Sequence, residues 1–273
     1  MHKKIKIILI LLLFSIAVLL FWNHFFEKTE HAYGVFLSID GSETEKLQGY
    51  KTVVIDAQYF TQEQIAELKT SGCTVYSYLN VGALETFRDY YDAYADLILG
   101  NYDNWEEEGW IDVSDYEWQE QLASLSQEFL QKGIDGFFVD NCDVYYQYTE
   151  DKIYHGLCQI LQGLRATGKD VIINGGDVFV QEYLRQNKEL NTILSGINQE
   201  CVFSSIDFKR NNFNRAAKED KKYYLSYLEN AEQHGAAIYL LEYTKNSELQ
   251  EEIRDFCRKR NWNYAISDSI ELD

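Results

Sequence analysis

Gly133-Ile134-Asp135-Gly136-Phe137-Phe138-Val139-Asp140-Asn141-Cys142-Asp143 is a short apolar strand that runs straight into a cluster of acids and amides. The run Phe137 to Val139 shows no polar alternation, so both of its faces are expected to be covered, as in a parallel sheet flanked by helices. In parallel α/β folds the carboxyl ends of the strands are where active sites gather, which makes Asp140 the first catalytic candidate. The plainer reading is that Asp140 and Asn141 cap the turn that follows.

Working outward, the same pattern of an apolar run ending in polar residues recurs. Besides 135–141, strands are predicted at 33–40, 52–58, 74–80, 170–176, 193–200, 236–243 and 263–269. Helical patterns lie between most of them, at 61–72, 117–133, 151–168, 180–190, 222–235 and 247–260. Thr61 with Gln64 three residues on is a capping-box signal, and Gly72, Gly133, Gly168 and Gly235 stand where helices should end. Eight strands alternating with helices predict an α/β fold of the (β/α)8 TIM-barrel type, with the helix after the first strand short or missing. A doubly wound open sheet is the alternative, but no Gly-rich phosphate loop follows any strand. The chain contains no proline, so its turns rely on Gly, Asn and Asp.

The first thirty residues read differently. Lys3, Lys4 and Lys6 precede a nearly unbroken apolar run from Ile7 to Trp22, and no small-residue cleavage pattern follows. This predicts a retained transmembrane signal anchor over residues 1–30, with the lysines cytoplasmic and the 31–273 barrel domain held outside the cell membrane. The barrel then has about 243 residues, close to the roughly 250 that this architecture typically needs. The five cysteines show no zinc-site spacing and are expected to be free thiols, and neither a metal nor a cofactor is expected.

Four of the 25 basic residues and two of the 44 acidic ones fall in the first thirty, leaving 21 against 42 in the barrel domain. Such a balance argues against nucleic acid as a partner, and suits a cationic polymer or simple solubility. Aromatic residues make up 15% of the chain, and the 81–118 insertion holds Tyr90, Tyr91, Tyr94, Tyr102, Trp105, Trp110, Tyr116 and Trp118. Such rings suit stacking on sugars as well as ordinary packing. Strand ends supply Asp40, Asp56, Asp140, Glu200, Glu242 and Asp268, so one mouth of the barrel should hold several carboxyl groups. Crowded carboxyls raise one another's pKa values, which allows one to donate a proton while another stays ionised, as glycoside hydrolysis requires. No Ser-x-Gly elbow, Cys-His pair or metal-spaced His pair competes with this reading.

At this point the chain resembles glycoside hydrolase family 114, the endo-α-1,4-polygalactosaminidase-like barrels. The resemblance rests on VVIDAQ (53–58), YSYLNVG (76–82) followed by Glu85 and Arg88, WIDV (110–113), KGIDGFFVDN (132–141), Asn174-Gly175 and Gln199-Glu200. It covers almost the whole chain after Tyr33. It implies hydrolysis of partly N-acetylated, α-1,4-linked galactosamine by a retaining mechanism, with Asp140 at the nucleophile position and Glu200 at the acid/base position. Asp56, Tyr78, Asn80, Asn141, Asn174 and Glu242 would bind the substrate, and Glu242, on the seventh strand, rivals Glu200 as proton donor. Where the family pattern after the third strand usually reads Gly-Glu-x-Glu, this chain has Gly82-Ala83-Leu84-Glu85, one acid fewer. Two other functions stay open: a non-catalytic polysaccharide-binding barrel, and a glycosidase for a neutral glycan.

Overall fold

The computed structural model describes residues 32–273 apart from Asn104 and Asn211. Eight strands follow one another in chain order around a single sheet: β1 (Gly34–Phe36), β2 (Thr52–Ile55), β3 (Thr74–Asn80), β4 (Gly136–Asp140), β5 (Asp170–Asn174), β6 (Gly196–Glu200), β7 (Ala237–Tyr243) and β8 (Asn263–Ser267). Every neighbouring pair is parallel. The sheet curls into a nearly closed barrel. At the seam β1 and β8 lie side by side without a ladder, and the N–H groups of Leu37 and Ser38 donate to the Leu272 carbonyl. All eight expected strands are present; the largest difference is at β1, which stops at Phe36 because the chain turns into a 3-10 segment (Gly41–Leu47) instead of a helix.

Six main helices cover the outside: α1 (Gln62–Thr70), α2 (Tyr116–Lys132), α3 (Asp151–Ala166), α4 (Asp177–Arg185), α5 (Lys218–Gln233) and α6 (Ser247–Arg260). The Thr61/Gln64 capping box starts α1, the Asp115 side chain accepts from the Glu117 and Trp118 N–H groups to start α2, and Gly133 ends α2 at φ 95°. Period-2 alternation then divides the strand residues between two cores. Phe137 and Val139 face the helices and join Ile65, Phe129, Leu157 and Leu228, while Phe138 fills the barrel with Val54, Tyr76, Tyr78, Ile172, Leu241 and Tyr243.

Two additions were absent from the sequence reading. The insertion after β3 folds into a small antiparallel sheet of segments 83–85, 98–101 and 108–111, with Glu85 directly opposite Glu108. A hairpin of 204–207 with 212–215 follows β6. Strands of three or four residues carry too few alternations to be read from sequence. Gly82 lets the insertion leave β3 close against β4; a Cβ there would sit 1.8 Å from the Asn141 carbonyl oxygen. Among the described residues no helix is long and apolar enough to cross a membrane, and the expected anchor at 1–30 lies outside them.

Candidate active site

The C-terminal ends of the strands open into a cleft of about 810 Å³. Asp140 ends β4, Glu200 ends β6, and Asn174 ends β5 between them. The Asn174 Nδ2 donates to Asp140 Oδ1 at 3.0 Å and to Glu200 Oε1 at 2.9 Å, so one amide ties the two carboxyls together. Asn174 Oδ1 accepts from Asn198 Nδ2 at 2.7 Å, and Asn198 Oδ1 accepts from the Tyr33 hydroxyl at 3.1 Å. This chain through the barrel interior holds the Asn174 amide with its NH2 toward the acids. Glu200 Oε2 also accepts from the Tyr243 hydroxyl at 2.9 Å, and Asp140 Oδ1 from the Asn141 N–H at 2.9 Å.

Both acids are only partly exposed at the cleft and are packed round by side chains, which favours their neutral forms. Burial and the nearby charge of Glu200 push Asp140 up to about 6, against the opposing pull of its hydrogen bonds from Asn174 and Asn141. Burial likewise lifts Glu200 above the ordinary carboxylate range, opposed by Asn174 and Tyr243. Both carboxyls are thus shifted toward the protonated form and, joined through one amide, titrate as a coupled pair.

Around this pair, Asn80 lies beside Asp140 in the ladder and accepts from the Ala83 N–H and the Asn141 side-chain amide. It does not line the cleft, so it positions its neighbours instead of meeting a ligand as expected. Asn141, at φ 64°, lines the cleft and accepts from the Tyr102 hydroxyl at 3.1 Å. Tyr78 also lines it, its hydroxyl 3.4 Å from Glu85. Asp56 reaches the cleft, but Arg88 claims its carboxylate at 2.6 Å and binds Glu85 at 2.5 Å. These three form a closed ion cluster that anchors the insertion to β2.

Glu242 is where the structure departs from expectation. On β7 the residues facing the barrel interior are Leu241 and Tyr243, so Glu242 points to the helix side, with 0% of its surface exposed. Its carboxylate accepts from the N–H groups of Phe203 and Ser204, at 2.9 Å each, and from the Ser204 hydroxyl. Burial raises it to about 7. It fastens the loop after Glu200 and touches no cleft, so neither the sugar-binding nor the proton-donor role fits it. Tyr243, one residue on, is the cleft residue that strand alternation identifies.

Glu108 was missed altogether. It reaches the cleft from the 108–111 strand, and its Oε2 accepts from the side-chain amides of Asn80 and Asn141 at 3.3 Å each. Of the insertion aromatics, Trp110 and Trp118 are buried in packing, Tyr102 stacks on Trp110 with ring centres 4.2 Å apart, and Trp105 stands exposed at the cleft. Tyr59, Phe87 and Phe208 join Trp105 there as exposed rings. The described lining holds twelve acidic residues against Arg88 as the one base, and Arg88 is already paired. Among the described residues no three His, Cys, Asp or Glu side chains come together as a metal site.

A parallel barrel with two linked acids at the mouth of the cleft is the architecture of a glycosidase. The model of glycoside-hydrolase family GH114 matches residues 22–268, and the chain belongs to that family. It is similar in structure to the glycoside hydrolase domain of PelA from Pseudomonas aeruginosa, at 18% identity and a TM-score of 0.73, over 89% of this chain and 96% of that one. It is also similar to Ega3 of Aspergillus fumigatus, solved in complex with galactosamine, at 15% identity and a TM-score of 0.68, over 89% and 93%. A curated relative is an uncharacterised protein of Methanocaldococcus jannaschii, 22% identical over 223 residues; the match covers 73% of this chain and 62% of that protein's length.

Proposed function

We propose that this glycosidase cleaves α-1,4-linked, partly N-acetylated galactosamine polymers by a retaining mechanism, with Asp140 as nucleophile and Glu200 as acid/base. The observation that carries the mechanism is the shared amide. An NH2 group directs its two hydrogens about 120° apart, a geometry that would set the oxygens bonded at 3.0 and 2.9 Å about 5 Å from each other. Retaining pairs sit at about 5–5.5 Å, whereas inverting pairs need roughly 6.5–9.5 Å to admit a water.

In the first step Glu200 gives its proton to the glycosidic oxygen as Asp140 attacks the anomeric carbon. Positive charge developing at that carbon favours ionised Asp140, while burial favours the proton on Glu200. In the second step Glu200 takes a proton from water, which displaces Asp140 from the covalent intermediate. The acidic lining supports a cationic substrate, and the exposed rings suit sugar faces. Galactosamine, the ligand in the Ega3 structure, is such a sugar.

Product analysis on purified galactosamine polymer tests this reading: new reducing ends of retained anomeric configuration are expected. Release from a neutral glucan alone, or none from any glycan, would overturn it. We further propose that residues 1–30 tether the enzyme to the cell membrane with its barrel extracytoplasmic. Membrane fractionation and protease accessibility in intact cells check this.

Tyr243→Phe is expected to lower kcat about tenfold and to move the alkaline limb of the pH profile upward. The hydroxyl donates to ionised Glu200 and so holds its pKa down. Without it, Glu200 keeps its proton to higher pH but is a weaker acid. A pH–rate comparison checks this, and an alkaline limb that moves downward would contradict it.

A further inference from the structure

We propose that Glu108 selects the deacetylated sugar, its carboxylate receiving the ammonium of a galactosamine unit bound beside Asp140. This rests on the galactosamine reading above and names the residue that would enforce it.

The other acids lining the cleft are compensated or held in water, Glu43 by Lys46 at 2.9 Å and Asp177 by the Tyr223 hydroxyl. Asp56 and Glu85 are neutralised by Arg88. Asp140 and Glu200 are tied to each other through Asn174. Exposed acids of the rim such as Asp40 and Glu107 act through water, where a single charge is worth little. Asp143 is half-buried without a base, yet its Oδ2 accepts the Gly176 N–H at 3.1 Å, at the N-terminal end of α4, where the helix favours negative charge.

Glu108 has no such compensation. Asn80 and Asn141 hold its Oε2, while its Oε1 has no partner among the described residues and is not among their enclosed atoms without one. The groups facing it are Asp140 from β4, Glu85 from the opposing strand, Tyr78 from β3 and Tyr102 from the insertion, and none is a cation. A half-buried carboxyl so placed needs either a proton or a cation from outside. Without a cation beside it the carboxyl favours the proton, since burial and the charges of Asp140 and Glu85 push it up to about 8. An arriving ammonium makes the ionised form the better one, so the carboxyl proton passes to solvent and a carboxylate–ammonium pair remains. An N-acetyl group, neutral and bulkier, offers nothing to form that pair.

The test compares kcat/KM on fully deacetylated and fully acetylated α-1,4-galactosamine oligosaccharides for the wild type, Glu108→Gln and Asp143→Asn. The expected result is a wild-type preference for deacetylated chains that falls at least tenfold in Glu108→Gln and by much less in Asp143→Asn. An unchanged ratio in Glu108→Gln overturns the proposal. So does an equal fall in both variants, which would mean that the cleft's whole field selects. Calorimetry on the wild type at neutral pH in two buffers of different ionisation enthalpy reads the proton directly and does not depend on any variant folding. Release on binding a deacetylated chain is expected, and none overturns the assignment. A wild type that cleaves neither chain refutes the galactosamine reading instead.

Discussion

Asp140→Asn and Glu200→Gln are each expected to lower kcat on the natural polymer by at least about a thousandfold, or about 4 kcal/mol of barrier. The two should part company on an aryl galactosaminide with a good leaving group. Glu200→Gln should keep much of its first-step rate there, because such a group departs without a proton, and the glycosyl-enzyme should accumulate. Asp140→Asn should stay inactive on both substrates, because no bond to the sugar can form. Trapping with a fluorinated sugar should label Asp140, and a label on Glu200 would exchange their roles. Neither substitution should lower the melting temperature. Each replaces one of two crowded, buried acids by an isosteric amide, and so removes repulsion that the folded state otherwise bears.

Arg88→Ala is expected to have the opposite profile, with a large effect on stability. It would leave Asp56 and Glu85 buried without their cation, and removing one partner of a buried ion pair costs about 3–5 kcal/mol. A fall in melting temperature on the order of 10 °C should result. Arg88→Lys should not rescue it fully, because a point charge cannot serve both carboxylates as the guanidinium fork does. The pH dependence has a definite sign. Burial already holds Glu85 above the ordinary carboxylate range, and without Arg88 it would hold it higher still. A group whose folded pKa is raised favours the folded state at low pH and loses that advantage as pH rises through it. The gap between variant and wild type should therefore narrow from pH 8 to pH 5, and thermal melts at the two values check this. A constant gap would mean that the loss comes from packing and not from the orphaned charge.

Much of the architecture was legible because it depends on periodicity. The run Phe137 to Val139 could be read as covered on both faces before any contact was known, and the eight repeats of that pattern define the barrel. Gly133 and Thr61 marked helix ends through local backbone preferences that need no tertiary partner. Asp140 and Glu200 were also legible as neighbours, because the ends of parallel strands gather on one side.

What the sequence by itself determined is thus the repeating unit, the side of the sheet on which chemistry can occur, and the surplus of acid there. Only the tertiary structure decided how those acids divide their labour. Glu242 stood as a sugar-binding residue and a rival to Glu200 as proton donor, yet strand alternation turned it away from the cleft and left it to fasten a loop. Asp56 stood at a strand end, but an arginine 32 residues on in the chain neutralised it. Glu108, on a strand too short to announce itself, arrived between two asparagines of other elements. The reason is physical: local sequence sets backbone conformation, whereas the charge a carboxyl carries depends on which donors, cations and walls the folded chain brings within a few ångströms of it.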